Sequence, residues 1–224
     1  VAAYFTEENM GVLMMMATIG GLGLAFVLLI ISLWTKNFWL TKFVLGAVAI
    51  WLVIYAVALI GVSLLSKEKI LGLNEPKAFC GFYIDCHMHT AVTDVRKTKT
   101  IGDKIAKGEF YIVKVKVFSD AKRAVIGLHA PKFEIIDVLN RKYQRLVELE
   151  TPVPPFDEKV PAGGAFEKEI IFDLPADVQN PRLDVAEGIG IDKVIEAVLI
   201  GDEDSIGHKR NYFKLDTSNQ VVQK

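Results

Sequence analysis

The densest run of side chains able to bind a metal or carry redox chemistry is Cys80-Gly81-Phe82-Tyr83-Ile84-Asp85-Cys86-His87-Met88-His89. On an extended strand, at about 3.3 Å per residue, Cys80 and Cys86 would stand about 20 Å apart, so they meet only if the chain turns near Gly81. With that turn, an oxidising compartment favours a local disulfide between Cys80 and Cys86. His87 and His89 project from one strand face, and Cys86 and Met88 from the other. Cys80, Cys86, His87, Met88 and His89 together are candidate ligands for copper or zinc, with the thioether favouring copper. Contiguous ligands converge only on irregular backbone, however. A structural cysteine pair beside solvated or core-satisfied histidines is therefore the expectation, with no cofactor.

Asp202-Glu203-Asp204 follows Gly201 in a turn and offers carboxylates for calcium, but without the spaced oxygen ligands of a calcium loop. A solvated turn is the simpler reading. The sequence has no Gly-x-Ser-x-Gly, His-Glu-x-x-His or Gly-x-x-x-x-Gly-Lys pattern, and the glycines between Gly20 and Gly23 lie in an apolar run unsuited to cradling phosphate. No enzyme is expected.

The elements that must position these residues fall into two compartments. The chain has 224 residues, 51% hydrophobic and 24% charged, with net charge −1 and mean hydropathy +0.32. This is more apolar than ordinary soluble domains. The excess sits in residues 11–34 and 43–65, which contain no Asp, Glu, Lys, Arg or His. Each run exceeds the roughly 20 residues that cross a hydrocarbon core, so two transmembrane helices are expected. Between them Lys36 and Lys42 stand without an acid, beside Trp34, Phe38 and Trp39, while the N-terminal tail has Glu7 and Glu8 but no base. Cytoplasmic placement of the lysine-bearing tip sends both termini outward. Lys67 and Lys69 pull the other way, and the start at Val1 hints at a removed leader. The expected location is the inner (plasma) membrane, two-pass, with the soluble domain periplasmic or extracellular. Basic and acidic residues nearly balance in the remainder, so no field for nucleic acid is present. Ala17, Gly21 and Ala25 form a small-residue stripe suited to a helix contact, although such residues are common in membrane helices anyway. Neither run has an ionisable group to relay protons or ligate haem, so the hairpin is expected to anchor.

From Phe79 onward short strands alternate with turn residues. In Glu109–Phe118, Tyr111, Val113, Val115 and Val117 share one face while Lys114 and Lys116 share the other. Further strands are expected at Met88–Arg96, Lys132–Leu139, Tyr143–Leu149, Phe166–Leu174, Pro181–Ala186, Lys193–Ile200 and Lys209–Asp216. The expected fold class is membrane-anchored all-β, two transmembrane helices followed by an antiparallel immunoglobulin-like β-sandwich. The expected boundaries are a tail at 1–10, a hairpin at 11–65, a linker at 66–78, the sandwich at 79–216 and a tail at 217–224.

The runs "GEFYIVKVKVFSDAKRAV", "APKFEIIDVLNRKYQ", "PAGGAFEKEIIFDLPADVQNPRLDVAEG" and "VLIGDEDSIGHKRNYFKLD" resemble telokin-like, immunoglobulin-type sandwich domains of bacterial envelope proteins. The resemblance covers about Phe79–Asp216 and implies a fold and an extracytoplasmic location, not an activity. The body plan is also similar to subunit II of haem-copper oxidases. The ligands of that subunit's dinuclear copper centre are not matched, because "DEDSIGHKRNYF" contains neither Cys nor Met. The expected role is a non-enzymatic accessory subunit of a multisubunit membrane complex, respiratory or photosynthetic in type, with other integral membrane subunits and the lipid bilayer as partners. A copper-binding or electron-transfer module using Cys80–His89, or an envelope sensor or adhesion domain, is the alternative.

Overall fold

The computed structural model describes residues 7–79, 86–188 and 190–215, and for residues 7–9, 191 and 192 only the backbone. The chain divides into two units, Val1–Lys67 with Lys193–Arg210, and Glu68–Asp192 with Asn211–Lys224.

In the first unit, α1 (Glu7–Trp34) and α2 (Phe38–Leu65) form an antiparallel hairpin. Both are long and apolar enough to cross a membrane, from Met10 in α1 and over all of α2. The helix thus starts inside the stretch expected as a tail. Lys36 turns the chain with a positive φ of 53°, and Asn37 caps α2 by accepting a hydrogen bond from the Leu40 amide. The seam has heptad spacing. On α1, Gly11, Thr18, Ala25 and Ser32 are less exposed than their neighbours, and on α2 the same holds for Val44, Val48, Trp51 and Tyr55. Two polar contacts pin it. Trp51 Nε1 donates to Thr18 Oγ1 at 3.0 Å, and the Ser32 hydroxyl lies 2.6 Å from that of Thr41.

The second unit is a sandwich of two sheets. One has strand order β2 (Lys77–Phe79), β3 (Met88–Ile101), β4 (Lys104–Ser119), β7 (Ala165–Leu174), all antiparallel. The other has order β1 (Lys69–Leu71), β9 (Asn211–Lys214), β8 (Arg182–Ala186), β5 (Lys132–Ile136), β6 (Lys142–Gln144). The alternation in β4 operates as its period requires. Tyr111, Val113, Val115 and Val117 enter the core with Phe172 and Leu174 of β7, Leu183 and Val185 of β8, and Phe133 and Ile135 of β5. Where β4 begins to pair with the end of β7, Gly108 is required. A Cβ there would lie 2.0 Å from the Leu174 carbonyl oxygen.

Four expectations are corrected. The stretch 66–78, read as a linker, carries β1 and the first two residues of β2, each strand being too short to show a period. The sandwich is not wholly antiparallel, because β1 runs parallel to β9. The strand expected at Lys193–Ile200 is instead a helix, α3 (Ile191–Val198), in the excursion between β8 and β9. Its apolar residues recur at Ile191, Val194, Ile195 and Val198, the helical spacing. The strand expected at Tyr143–Leu149 ends at Gln144 and gives way to a 3-10 turn at Val147–Leu149.

Candidate functional site

The cysteine–histidine run is divided by the fold. Cys80 lies outside the described residues. Cys86 is disulfide-bonded, so its sulfur is not a thiolate ligand, and the sequence has two cysteines in all. Met88, first residue of β3, points into the core at 4% exposure. His87 and His89 lie together on the other side of the strand, where both reach a residue that the sequence alone did not single out. Asp120 Oδ1 is 2.7 Å from His87 Nδ1 and 3.3 Å from His89 Nε2. The His89 ring also stacks on Phe118 of β4, with centroids 5.1 Å apart. Burial pushes the Asp120 carboxyl up, but hydrogen bonds from the two imidazoles outweigh it and hold the group below its ordinary value. Among the described residues no group of three or more His, Cys, Asp or Glu is arranged to hold a metal ion. The cluster is a carboxylate clamp across the β3–β4 pair, joined also by the Asp120 amide to the His87 carbonyl.

A second constellation lies in residues 193–210. Asp204 accepts from Lys193 Nζ at 2.8 Å and from Arg210 Nη2 at 2.6 Å, and Lys193 also lies 3.2 Å from Glu196 Oε2. Asp202 accepts from the Asp204 amide. Burial is the main cause that pushes its carboxyl up to about 7, and the nearby Glu196, Asp204 and Glu203 charges add to it. Asp202-Glu203-Asp204, the turn weighed above for calcium, is thus engaged in ion pairing through Asp204. The same segment is fastened to the hairpin. Tyr55 Oη donates to the Val198 carbonyl at 2.7 Å, the Ser63 and Ser205 hydroxyls are 3.3 Å apart, and the Lys209 amide donates to Ser66 Oγ. Gly11 closes the contact, for a Cβ there would sit 1.8 Å from the Ile200 carbonyl oxygen.

Of the proposed small-residue stripe, only Ala25 joins the hairpin seam. Ala17 and Gly21 are exposed and Ala25 is half-buried, and a Cβ at Gly21 would meet nothing within 4 Å. The sandwich also has a surface cavity of about 430 Å³ near Arg145, Glu150, Phe156 and Lys168. Its cations are engaged. Arg145 pairs with Glu150 at 3.1 Å, and Lys168, 4.9 Å above the Phe156 ring, donates to the Pro154 carbonyl.

No family model matches the chain, and no curated protein does. Solved structures similar to it include the yjhA protein from Bacillus subtilis, at 17% identity and TM-score 0.42 over 66% of this chain and 100% of that one. Another is the secreted protein MPT63 from Mycobacterium tuberculosis, at 14% identity and TM-score 0.40 over 56% and 93% of the two chains. A third is a β-sandwich protein from Clostridium difficile 630, at 9% identity and TM-score 0.38 over 67% and 96%. The sandwich assignment rests on the strand pairing described above.

Proposed function

We propose that the chain is a non-enzymatic accessory subunit of a multisubunit membrane complex, held by its two helices and presenting an immunoglobulin-type sandwich outside the cytoplasm. The observation that carries anchoring is the outward surface of the hairpin, where Leu24, Phe26 and Val53 are 62%, 65% and 63% exposed. Leaving such surface in water costs about 25 cal/mol per Å². Lys36 and Lys42 at the tip, and a disulfide at Cys86, agree with an outward sandwich. The partner reading draws on Ala17 and Gly21, whose exposure leaves a flat strip that packs against nothing among the described residues. The polar clusters named above are spent on internal pairing, which favours a role through protein contacts over chemistry. The second reading, a copper or electron-transfer module, draws on the convergence of His87 and His89. Against it stand the disulfide-bonded Cys86 and the core position of Met88, which withdraw the ligands that select copper.

The test is gentle detergent purification from the native host, comparing wild type with Gly21→Leu. Co-purifying membrane chains are expected with the wild type and are expected to be lost with the variant while the sandwich stays folded. Wild-type protein isolated alone would refute the subunit reading, and unchanged partner recovery by the variant would refute this strip as the contact.

A further inference from the structure

Among its described side chains, helix α3 buries an acid and exposes two valines. Glu196 is 6% exposed, drawn inward to the ion pairs around Lys193 and Asp204, whereas Val194 and Val198, one turn apart, are 65% and 38% exposed. Ile206, 62% exposed, is held beside the helix by the hydrogen bond that its amide donates to the Ala197 carbonyl. Water alone gives no reason to turn valines out and a glutamate in.

The place of this patch along the hairpin supplies the reason. A hydrocarbon core of about 30 Å takes about 20 helical residues. Counted from the exposed tryptophans at the tip, Trp34 and Trp39, that length ends near Met14 on α1 and Leu59 on α2. Gly11, which abuts Ile200, and Tyr55, which holds Val198, are each within about one turn of those limits. At the same level of the hairpin Ile60 and Leu64 are 53% and 77% exposed. On the reading that the hairpin spans a bilayer, we infer that α3 and its loop form an interfacial membrane-contact element. Val194, Val198 and Ile206 meet lipid at the outer headgroup boundary, and the Lys193–Glu196–Asp204–Arg210 cluster faces away from it. The occupant is lipid because the patch lies beside the hairpin's apolar surface at the depth where acyl chains end, and the Glu196 and Asp204 carboxylates, 8% and 11% exposed, are turned inward.

The test places single nitroxide labels on the full chain, disulfide intact, in phosphatidylcholine–phosphatidylglycerol vesicles. Labels go on Val194→Cys, Val198→Cys and Ile206→Cys, with Leu24→Cys at mid-hairpin and Ile105→Cys on the sandwich as references. Collisions with oxygen and with a water-soluble nickel complex report depth. Leu24 should read deep and Ile105 aqueous, and the three test sites should show an oxygen-to-nickel ratio several-fold above Ile105 and below Leu24. Test sites as aqueous as Ile105 beside a deep Leu24 would overturn the inference and leave anchoring intact. Test sites shielded from both reagents would overturn it in favour of a second copy or another protein as the cover. An aqueous Leu24 would overturn anchoring itself, and this inference with it.

Discussion

Gly11→Ala offers a sharp perturbation of the packing between the hairpin and residues 193–210. The added Cβ would stand 1.8 Å from the Ile200 carbonyl oxygen, and tolerable contacts begin near 3.0 Å, so the backbones must part by at least about 1.2 Å. The same displacement applied at Tyr55 would lengthen its 2.7 Å bond to the Val198 carbonyl to about 3.9 Å, beyond hydrogen-bonding range. Overpacking costs about 1–3 kcal/mol, and a lost hydrogen bond about 1 kcal/mol. Replacing glycine by alanine within a helix returns about 1 kcal/mol. The net loss is about 1–3 kcal/mol, which corresponds to amide exchange about 5- to 160-fold faster in the affected segment. Hydrogen exchange with mass spectrometry on the full protein in detergent reads this directly. Acceleration should be confined to 193–210, leaving β4 unchanged. Gly21→Ala should accelerate neither, since its Cβ meets nothing. Unchanged exchange in 193–210, or equal acceleration in β4, would refute the reasoning.

Asp202 keeps its proton to about pH 7 in the folded protein against an ordinary value of 3.8, so its contribution is fully present below about pH 4 and falls away as pH rises to 7. The loss has an upper bound of about 4 kcal/mol. Asp202→Asn should flatten the pH dependence of 193–210 exchange between pH 4 and 7, and an unchanged slope would contradict it. A single cysteine at Asn37 should resist an impermeant thiol reagent in intact cells, whereas strong labelling would reverse the topology. Elemental analysis should find copper and zinc well below one per chain, and one tightly held metal lost in a His87→Ala, His89→Ala variant would restore the metal reading.

The long elements were legible because their patterns repeat many times. The uncharged runs of α1 and α2 and the alternation in β4 each state one preference over and over. β1 and β2 were missed because three residues show no period. In Lys193–Ile200, β-branched residues in a short apolar stretch suit either period, and what selects the helix includes the Lys193–Glu196 contact at i,i+3. Asp120 escaped notice for a geometric reason. The β3–β4 register begins at Ile101↔Lys104 but shifts twice, between Thr98 and Thr100 and between Val92 and Asp94, before reaching Met88↔Ser119. Counting across the hairpin from its turn therefore misplaces the partner of His87. Gly11 could not be told from the other glycines of the apolar helices, because its role depends on a carbonyl 189 residues later.

The β8–β9 pair shows how separable the excursion is. Leu183 pairs with Phe213 and Arg182 with Lys214, so the same register carried forward sets Ala186, the last residue of β8, opposite Arg210. A short hairpin turn would serve there, and none of the described residues between them belongs to the sandwich's main apolar core. Their own buried side chains, Leu199 and Ile200 at 4% and 6% exposure, belong to the unit that contains the hairpin. A sandwich of residues 68–215 cut from its helices would thus lose the Gly11 and Tyr55 contacts that hold this segment. Exposing one such side chain costs about 1.5–3 kcal/mol, enough to drive self-association. Joining Gly188 to Lys209 through two glycines should give a monomer with an unfolding midpoint close to that of the uncut sandwich, measured by light scattering and thermal circular dichroism. Failure of the shortened chain to fold would show that residues 189–208 support the β-sandwich itself, and a fully monomeric uncut sandwich would show that the segment closes on itself without the helices.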